Sequence, residues 1–169
     1  EKLLKDVEGN SCVIAPNMGK QVVAMQAALE NLAKDFPEAF AGYKLQVVES
    51  HQKSKADTSG TAKAVIDSIR TLSSDDRFSY DDITMIRDEE KAIEFGVPKE
   101  ALNGHAFHTY TLTSPDGSVQ FKLQHNVAGR TVYAEGTADA VKFLAKKLEA
   151  KGVGRVYNMI DVLKEGALE

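Results

Sequence analysis

Two alternating runs, Ala106 to Thr113 and Val119 to Val127, flank Ser114-Pro115-Asp116-Gly117, and this pattern commits the chain to an antiparallel hairpin. In the second run Val119, Phe121, Leu123 and Val127 share one side of the pleat, while Gln120, Lys122, Gln124 and Asn126 share the other. Thr109, Thr111 and Thr113 continue the polar side on the partner strand. One side is therefore core. The other is polar but β-competent, which is the composition of a solvated face or of a wet subunit interface. His105, His108 and His125 lie on or beside this hairpin and read as hydrogen-bonding sheet residues without metal-ligand company.

Asn17 is a good N-cap for a helix with Met18, Val22, Met25, Leu29, Leu32 and Phe36 on one stripe, ended by Pro37. Tyr43 to Val48 reads as a strand, and Thr61 to Leu72 as a helix with Ala62, Val65, Ile69 and Leu72 at helical spacing. After the polar loop Ser73-Ser74-Asp75-Asp76 a strand is expected at Ile83 to Ile86, and Arg87 to Glu100 reads as a charged, irregular surface. A last amphipathic helix is expected from a Thr137 cap through Val141, Leu144 and Leu148, with Lys146, Lys147 and Lys151 favouring its dipole. This order is α+β: a mixed sheet with helices packed on one face and a subunit interface on the other.

With 169 residues, 43% of them hydrophobic, the chain can bury a core without staples. The single cysteine, Cys12, excludes an intrachain disulfide and a multi-cysteine metal site, and in the run CVIAP it reads as a buried strand residue under reducing conditions. A net charge of −4 and the absence of Trp argue against nucleic acid, and no run is long enough to span a bilayer.

Chemistry concentrates in Glu49-Ser50-His51-Gln52-Lys53-Ser54-Lys55-Ala56-Asp57-Thr58-Ser59-Gly60-Thr61-Ala62, between a strand and a helix. His51 can exchange a proton near neutral pH, and Lys55 adds a positive charge or a second donor. Ser59-Gly60-Thr61 opens a helix whose backbone N–H groups suit a carboxylate or phosphate. Ordinary capping chemistry and a hydrogen-bonded surface histidine would leave the same pattern, so the residues alone keep both readings open.

This block resembles the signature loop of the dihydrodipicolinate reductases, E-x-H-H-x-x-K-x-D-x-x-S-G-T-A. Ala15-Pro16-Asn17-Met18, Gly104-His105-Ala106-Phe107-His108, Gln124-His125-Asn126-Val127-Ala128-Gly129-Arg130, Ala134-Glu135-Gly136 and Tyr157-Asn158-Met159-Ile160-Asp161-Val162-Leu163 resemble further family segments in the same order. Their details are most similar to the plant and algal branch. Gln52 stands where many bacterial members carry a second histidine, and one residue is missing between Asp57 and Ser59.

The resemblance implies an NAD(P)H-dependent reductase of the diaminopimelate route to lysine, reducing 4-hydroxy-tetrahydrodipicolinate to tetrahydrodipicolinate. It implies catalytic roles for His51 and Lys55, dicarboxylate binding by Gln52, Ser59, Gly60 and Thr61, and a place near the nicotinamide of NADPH or NADH for Ala15, Pro16, Asn17 and Arg130. It further implies no metal, no nucleic acid or membrane partner, and a homo-oligomer, dimer or tetramer, built through the sheet. The location implied is the plastid stroma for a plant or algal protein and the cytoplasm otherwise.

A dinucleotide-binding domain begins with a glycine-rich turn between strand and helix, and none is found here. Gly152-Val153-Gly154 follows the helical stretch Ala138 to Lys151 and reads as a helix stop. The expectation is therefore a substrate-binding half with most of the Rossmann domain absent. Residues 1–16, starting in a helix tail at Glu1 to Val7, would be a nucleotide-domain remnant and hinge. Residues 17–153 would form the substrate-binding and oligomerisation domain, and 154–169 a segment returning to the nucleotide domain. Such a piece alone is expected to be inactive, its cofactor being bound mainly by the absent half. The alternative is a non-catalytic oligomerisation or anion-binding module, against which the retention of both His51 and Lys55 counts. An unrelated Rossmann-type enzyme is disfavoured by the absent glycine turn.

Overall fold

The computed structural model describes residues 10–74, 77–150 and 154–165. Its elements run β1 (Cys12–Val13), α1 (Lys20–Asp35), β2 (Lys44–His51), α2 (Gly60–Ser73), β3 (Thr84–Ile86), α3 (Glu89–Glu94), β4 (His105–Thr113), β5 (Gln120–Ala128), α4 (Thr131–Glu149), β6 (Val156–Tyr157) and α5 (Met159–Lys164), with single 3₁₀ turns at Tyr80–Asp82 and Lys99–Ala101. Contacts divide the chain into two compact units, one of residues 28–130 and one of residues 1–27 with 131–169. These boundaries differ from the segments 1–16, 17–153 and 154–169 expected from the sequence.

The central unit is a four-stranded sheet in the order β3-β2-β4-β5. β2 and β3 are parallel, which requires a crossover that α2 supplies, and the other neighbours are antiparallel. The expected hairpin is present. Gly117 takes φ 75°, its N–H donates to the Ser114 carbonyl at 3.0 Å, and the Asp116 carboxylate accepts from Ser114 Oγ at 2.6 Å and from Ser118 N at 3.1 Å. Those bonds hold the Asp116 carboxyl down at about 2.

Register makes the two faces chemically distinct. Thr109, Thr111 and Thr113 oppose Gln124, Lys122 and Gln120, with Gln46 and Lys44 of β2 on the same polar side. On the other side lie Leu45, Val47, Glu49 and His51, paired with Leu112, Tyr110, His108 and Ala106. Val47, Tyr110 and Leu112 are buried there, as are Ala62, Val65, Ile66, Ile69 and Leu72 of α2. Helix α2 starts on this side, because Ser59 N donates to the Glu49 carboxylate.

Several local expectations are corrected. β2 continues through His51 rather than ending at Val48, so His51 is a strand residue. The charged stretch after Arg87 is ordered: Asp88 caps α3 by accepting from Lys91 N, and Ala92, Val97, Ala101 and Phe107 form a small buried cluster. Few apolar side chains in that stretch suffice, because each is small or falls at a turn. Along α1 the buried residues are Val22, Val23 and Ala33, whereas Leu32 and Phe36 are exposed.

In the second unit, β1 and β6 pair in parallel and Val23, Ala140, Phe143, Tyr157, Met159 and Val162 form the core. Cys12 is half-buried in β1. Helix α4 begins at Thr131, six residues before the expected Thr137 cap. Thr137 Oγ donates instead to the Tyr133 carbonyl at 2.7 Å, the back-bond of a hydroxyl inside a helix. The helix buries Ala140 and Phe143, leaving Val141 and Leu148 exposed. Gly136 is required by close approach, since a Cβ there would overlap the Met18 carbonyl. Lys20 Nζ pairs with Asp139 at 2.6 Å. Glu1 to Val7, Asp75-Asp76 and Lys151-Gly152-Val153 lie outside the described residues.

Candidate active site

Alternation along β2 turns Glu49 and His51 to the core side, and the β2-β4 register sets His108 directly opposite Glu49. Glu49 is fully buried, so its charge must be met from within. Arg87, the residue after β3, places its guanidinium on Oε1, while Ser59 N donates to Oε2 at 3.2 Å. The same guanidinium donates from Nε to the Lys55 carbonyl at 2.6 Å, tying the loop to the sheet. Burial pushes the Glu49 carboxyl upward, but the approach of His108 at 3.7 Å, Arg87 and the Ser59 amide outweigh it and lower it to about 2.

His51 uses both ring nitrogens. Nδ1 lies 3.1 Å from the His105 carbonyl, which can only accept, so this nitrogen carries the hydrogen. The bare Nε2 then accepts from His108 Nε2 at 3.2 Å. Burial first, and then His108, lower His51 to about 4 and keep it neutral. His108 stacks on His125 with ring centroids 4.6 Å apart, and burial lowers His125 to about 4 as well. His105 belongs to the opposite face, where its Nδ1 faces the Ala101 and Leu102 carbonyls at 3.3 and 3.2 Å and its Nε2 accepts from Ser50 Oγ at 2.8 Å.

These shifts fix a pH dependence. The unfolded chain protonates His51 and His125 near the ordinary 6.5, whereas the folded chain resists until about 4. Between those values the unfolded chain binds more protons, so stability is complete above about pH 7 and falls as pH drops toward 4. Glu49, lowered from 4.5 to about 2, adds a further loss below its unfolded value. Urea midpoints measured from about pH 7.5 to 3.5 should fall steadily. A midpoint flat down to pH 4 would show that these histidines titrate alike in both states.

In the loop itself, Lys55 N donates to the Gln52 carbonyl at 2.9 Å, closing a turn, and Lys55 Nζ pairs with the exposed Asp57 at 2.9 Å. Ser59 is buried, Thr61 half-buried, and Gly60 exposed with open space where a Cβ would be. The fold thus brings together His51, Lys55, Gln52, Ser59, Gly60 and Thr61 on one strand-loop-helix passage. Ala15, Pro16 and Asn17 belong to the other unit, where Asn17 Oδ1 accepts from Gly19 N at 2.7 Å. Arg130 is exposed at the end of the central unit, after Gly129 at φ 82°, whose N–H donates to the Gly104 carbonyl at 2.8 Å.

Sequence reasoning missed Glu49, Arg87 and His108 as a buried polar group. A signal was present: a glutamate on the same strand face as Val47 requires a cation, and Arg87 directly follows the neighbouring strand. The reading of His108 as a residue without metal-ligand company is corrected, since His51 and Glu49 both lie within 4 Å of it. Among the described residues no strand enters a helix through a glycine-rich turn, and the only sheet outside the central unit has two strands of two residues.

The family description "Dihydrodipicolinate reductase, C-terminus" matches residues 21–163. The "4-hydroxy-tetrahydrodipicolinate reductase 2, chloroplastic" of Arabidopsis thaliana is 57% identical over 168 residues, covering 98% of this chain and 48% of that protein. The "Probable 4-hydroxy-tetrahydrodipicolinate reductase 2, chloroplastic" of Oryza sativa subsp. japonica is 53% identical, with 98% and 51% covered. A bacterial relative from Herminiimonas arsenicoxydans is 28% identical, with 92% and 56% covered. The chain thus spans about half the length of the curated relatives it matches. The fold is shared with the solved "Dipicolinate bound Dihydrodipicolinate reductase from Paenisporosarcina sp. TG-14", at a TM-score of 0.54 and 19% identity over 88% of this chain and 53% of that one. With its matched segment running from the first described helix to the last, the chain belongs to the dihydrodipicolinate reductase C-terminal family.

Proposed function

We propose that this chain is the substrate-binding half of a reductase that converts 4-hydroxy-tetrahydrodipicolinate to tetrahydrodipicolinate, and that Lys55 is its proton donor. The observation that carries the assignment is the single loop that sets the Lys55 ammonium, the turn at Gln52 and the Ser59-Gly60-Thr61 helix start on a base fixed by Arg87 and Glu49. The names of the plant relatives support the reaction and a plastid location. A nicotinamide cofactor, NADPH or NADH, would supply hydride in such a reductase.

The roles of this chain's own groups follow from charge and hydrogen bonding. A dicarboxylate needs donors at one end and a cation at the other; the exposed start of α2 and the Gln52 amide supply the first, and Lys55 the second. His51 has no N–H directed away from the sheet, so it steadies the strand end from which the loop departs. Lys55 needs only to exchange Asp57 for the substrate to hold an N–H against the ring atom that gains a proton.

The test uses pyridine-2,6-dicarboxylate as a planar stand-in. Amide resonances of Gly60, Thr61 and Lys55 should move on titration, and Lys55→Ala should weaken binding by about tenfold or more, the worth of one charge-assisted hydrogen bond. Shifts confined to other segments would remove the loop from the site. The polar sheet face built from Thr109, Thr111, Lys122 and Gln124 supports self-association into a dimer or tetramer. Light scattering at tens of micromolar should show more than one chain per particle, and a strict monomer would contradict this.

A further inference from the structure

Glu49 Oε2, His51 Nε2 and His108 Nε2 converge beneath the loop, on the core side of the sheet. These atoms are 3.2, 3.7 and 4.0 Å apart, and a point equidistant from such a set lies about 2.1 Å from each, the length of a zinc bond to imidazole or carboxylate. The two rings meet at 73° with their Nε2 atoms facing one another. Their surroundings are those of a ligand set: the His105 carbonyl fixes the Nδ1–H tautomer of His51, leaving Nε2 bare, and Arg87 pins Oε1 so that Oε2 faces the histidines. His51, 7% exposed, is the member through which an ion would enter, Glu49 and His108 being at 0% and 1%.

We propose that Glu49, His51 and His108 form a binding site for one divalent transition ion of the zinc type. Two imidazole nitrogens and one carboxylate oxygen select Zn²⁺ over Mg²⁺ or Ca²⁺, which take oxygen ligands. The ion takes the place of the hydrogen that His108 Nε2 holds between the rings, and His108 stays neutral by carrying that hydrogen on Nδ1 instead. It leaves the fourth position to water or to a ligand entering past His51. Bound there, it would add a further tie between His51 and the sheet; ion binding is measured without turnover and does not rest on the reductase reading.

The experiment titrates the metal-stripped chain with Zn²⁺ by calorimetry and with Co²⁺ by visible absorption. One ion per chain is expected, held at micromolar concentration or tighter, with the intense Co²⁺ bands of a four-coordinate site and no heat from millimolar Mg²⁺. His108→Ala should weaken Zn²⁺ binding by about 100-fold or more, whereas His125→Ala, which removes the stacked ring but no ligand atom, should change it by no more than about threefold. X-ray absorption of the zinc-loaded unsubstituted chain should show two imidazoles and a carboxylate at about 2.0–2.1 Å, and it decides the matter even if His108→Ala fails to fold. Binding weaker than millimolar, equal loss in His125→Ala, or a ligand set without two imidazoles would overturn the assignment.

Discussion

Replacing Glu49 by alanine is expected to cost about 3–5 kcal/mol of unfolding free energy, the penalty of breaking a buried ion pair from one side. Glu49 has no exposure, and its carboxylate serves the Arg87 guanidinium and the Ser59 amide and lies 3.7 Å from His108 Nε2. Its loss leaves the guanidinium without its counter-charge and the start of α2 unmoored from the sheet. Arg87 keeps 18% of its side chain exposed and can draw in water, which places the expected value toward the lower end of that range. Glu49→Gln keeps the shape but loses the charge, so it should fall between wild type and Glu49→Ala. Urea unfolding of the three proteins measures this directly; a loss under about 1 kcal/mol for Glu49→Ala would mean that the pair is no stronger than a surface one.

The hairpin is legible because alternation and the Ser114-Pro115-Asp116-Gly117 turn are local signals, and its polar face carries the residues expected on it. The strand-loop-helix passage was legible for the same reason, although β2 reaches His51, three residues beyond the apolar run. The extension arises from pairing with β4, where Ser50 and His51 oppose Phe107 and Ala106, and such long-range pairing leaves no mark in β2 itself. Thr137 looks like a cap and so points to a later start for α4, whereas the segment Thr131 to Gly136 is drawn into the helix where Gly136 fits under the Met18 carbonyl. Chemistry and spacing mark His51 and Lys55 as groups able to exchange protons but leave ordinary capping equally open, and it is the family resemblance that selects them. The separate roles proposed for them were not legible, since they rest on which atoms His105, His108 and Asp57 occupy.

That division gives the second large effect. Lys55→Ala should lower kcat by about two to four decades, the range for removing a general acid, and should also raise KM because the same ammonium holds the dicarboxylate. His51→Gln should be milder, about tenfold in kcat with KM nearly unchanged, because an amide can still meet the His105 carbonyl and His108. Both are measured in a fusion of this chain behind the amino-terminal half of the Arabidopsis thaliana relative, of whose length this chain covers 48%.

The most direct single measurement is the steady-state turnover of that fusion with 4-hydroxy-tetrahydrodipicolinate and NADPH, with and without Lys55→Ala. An active fusion that loses at least about a hundredfold in kcat on this one substitution is expected. A Lys55→Ala fusion within about threefold of the unsubstituted one, correctly folded and saturated with substrate, would contradict the assignment of Lys55 as donor.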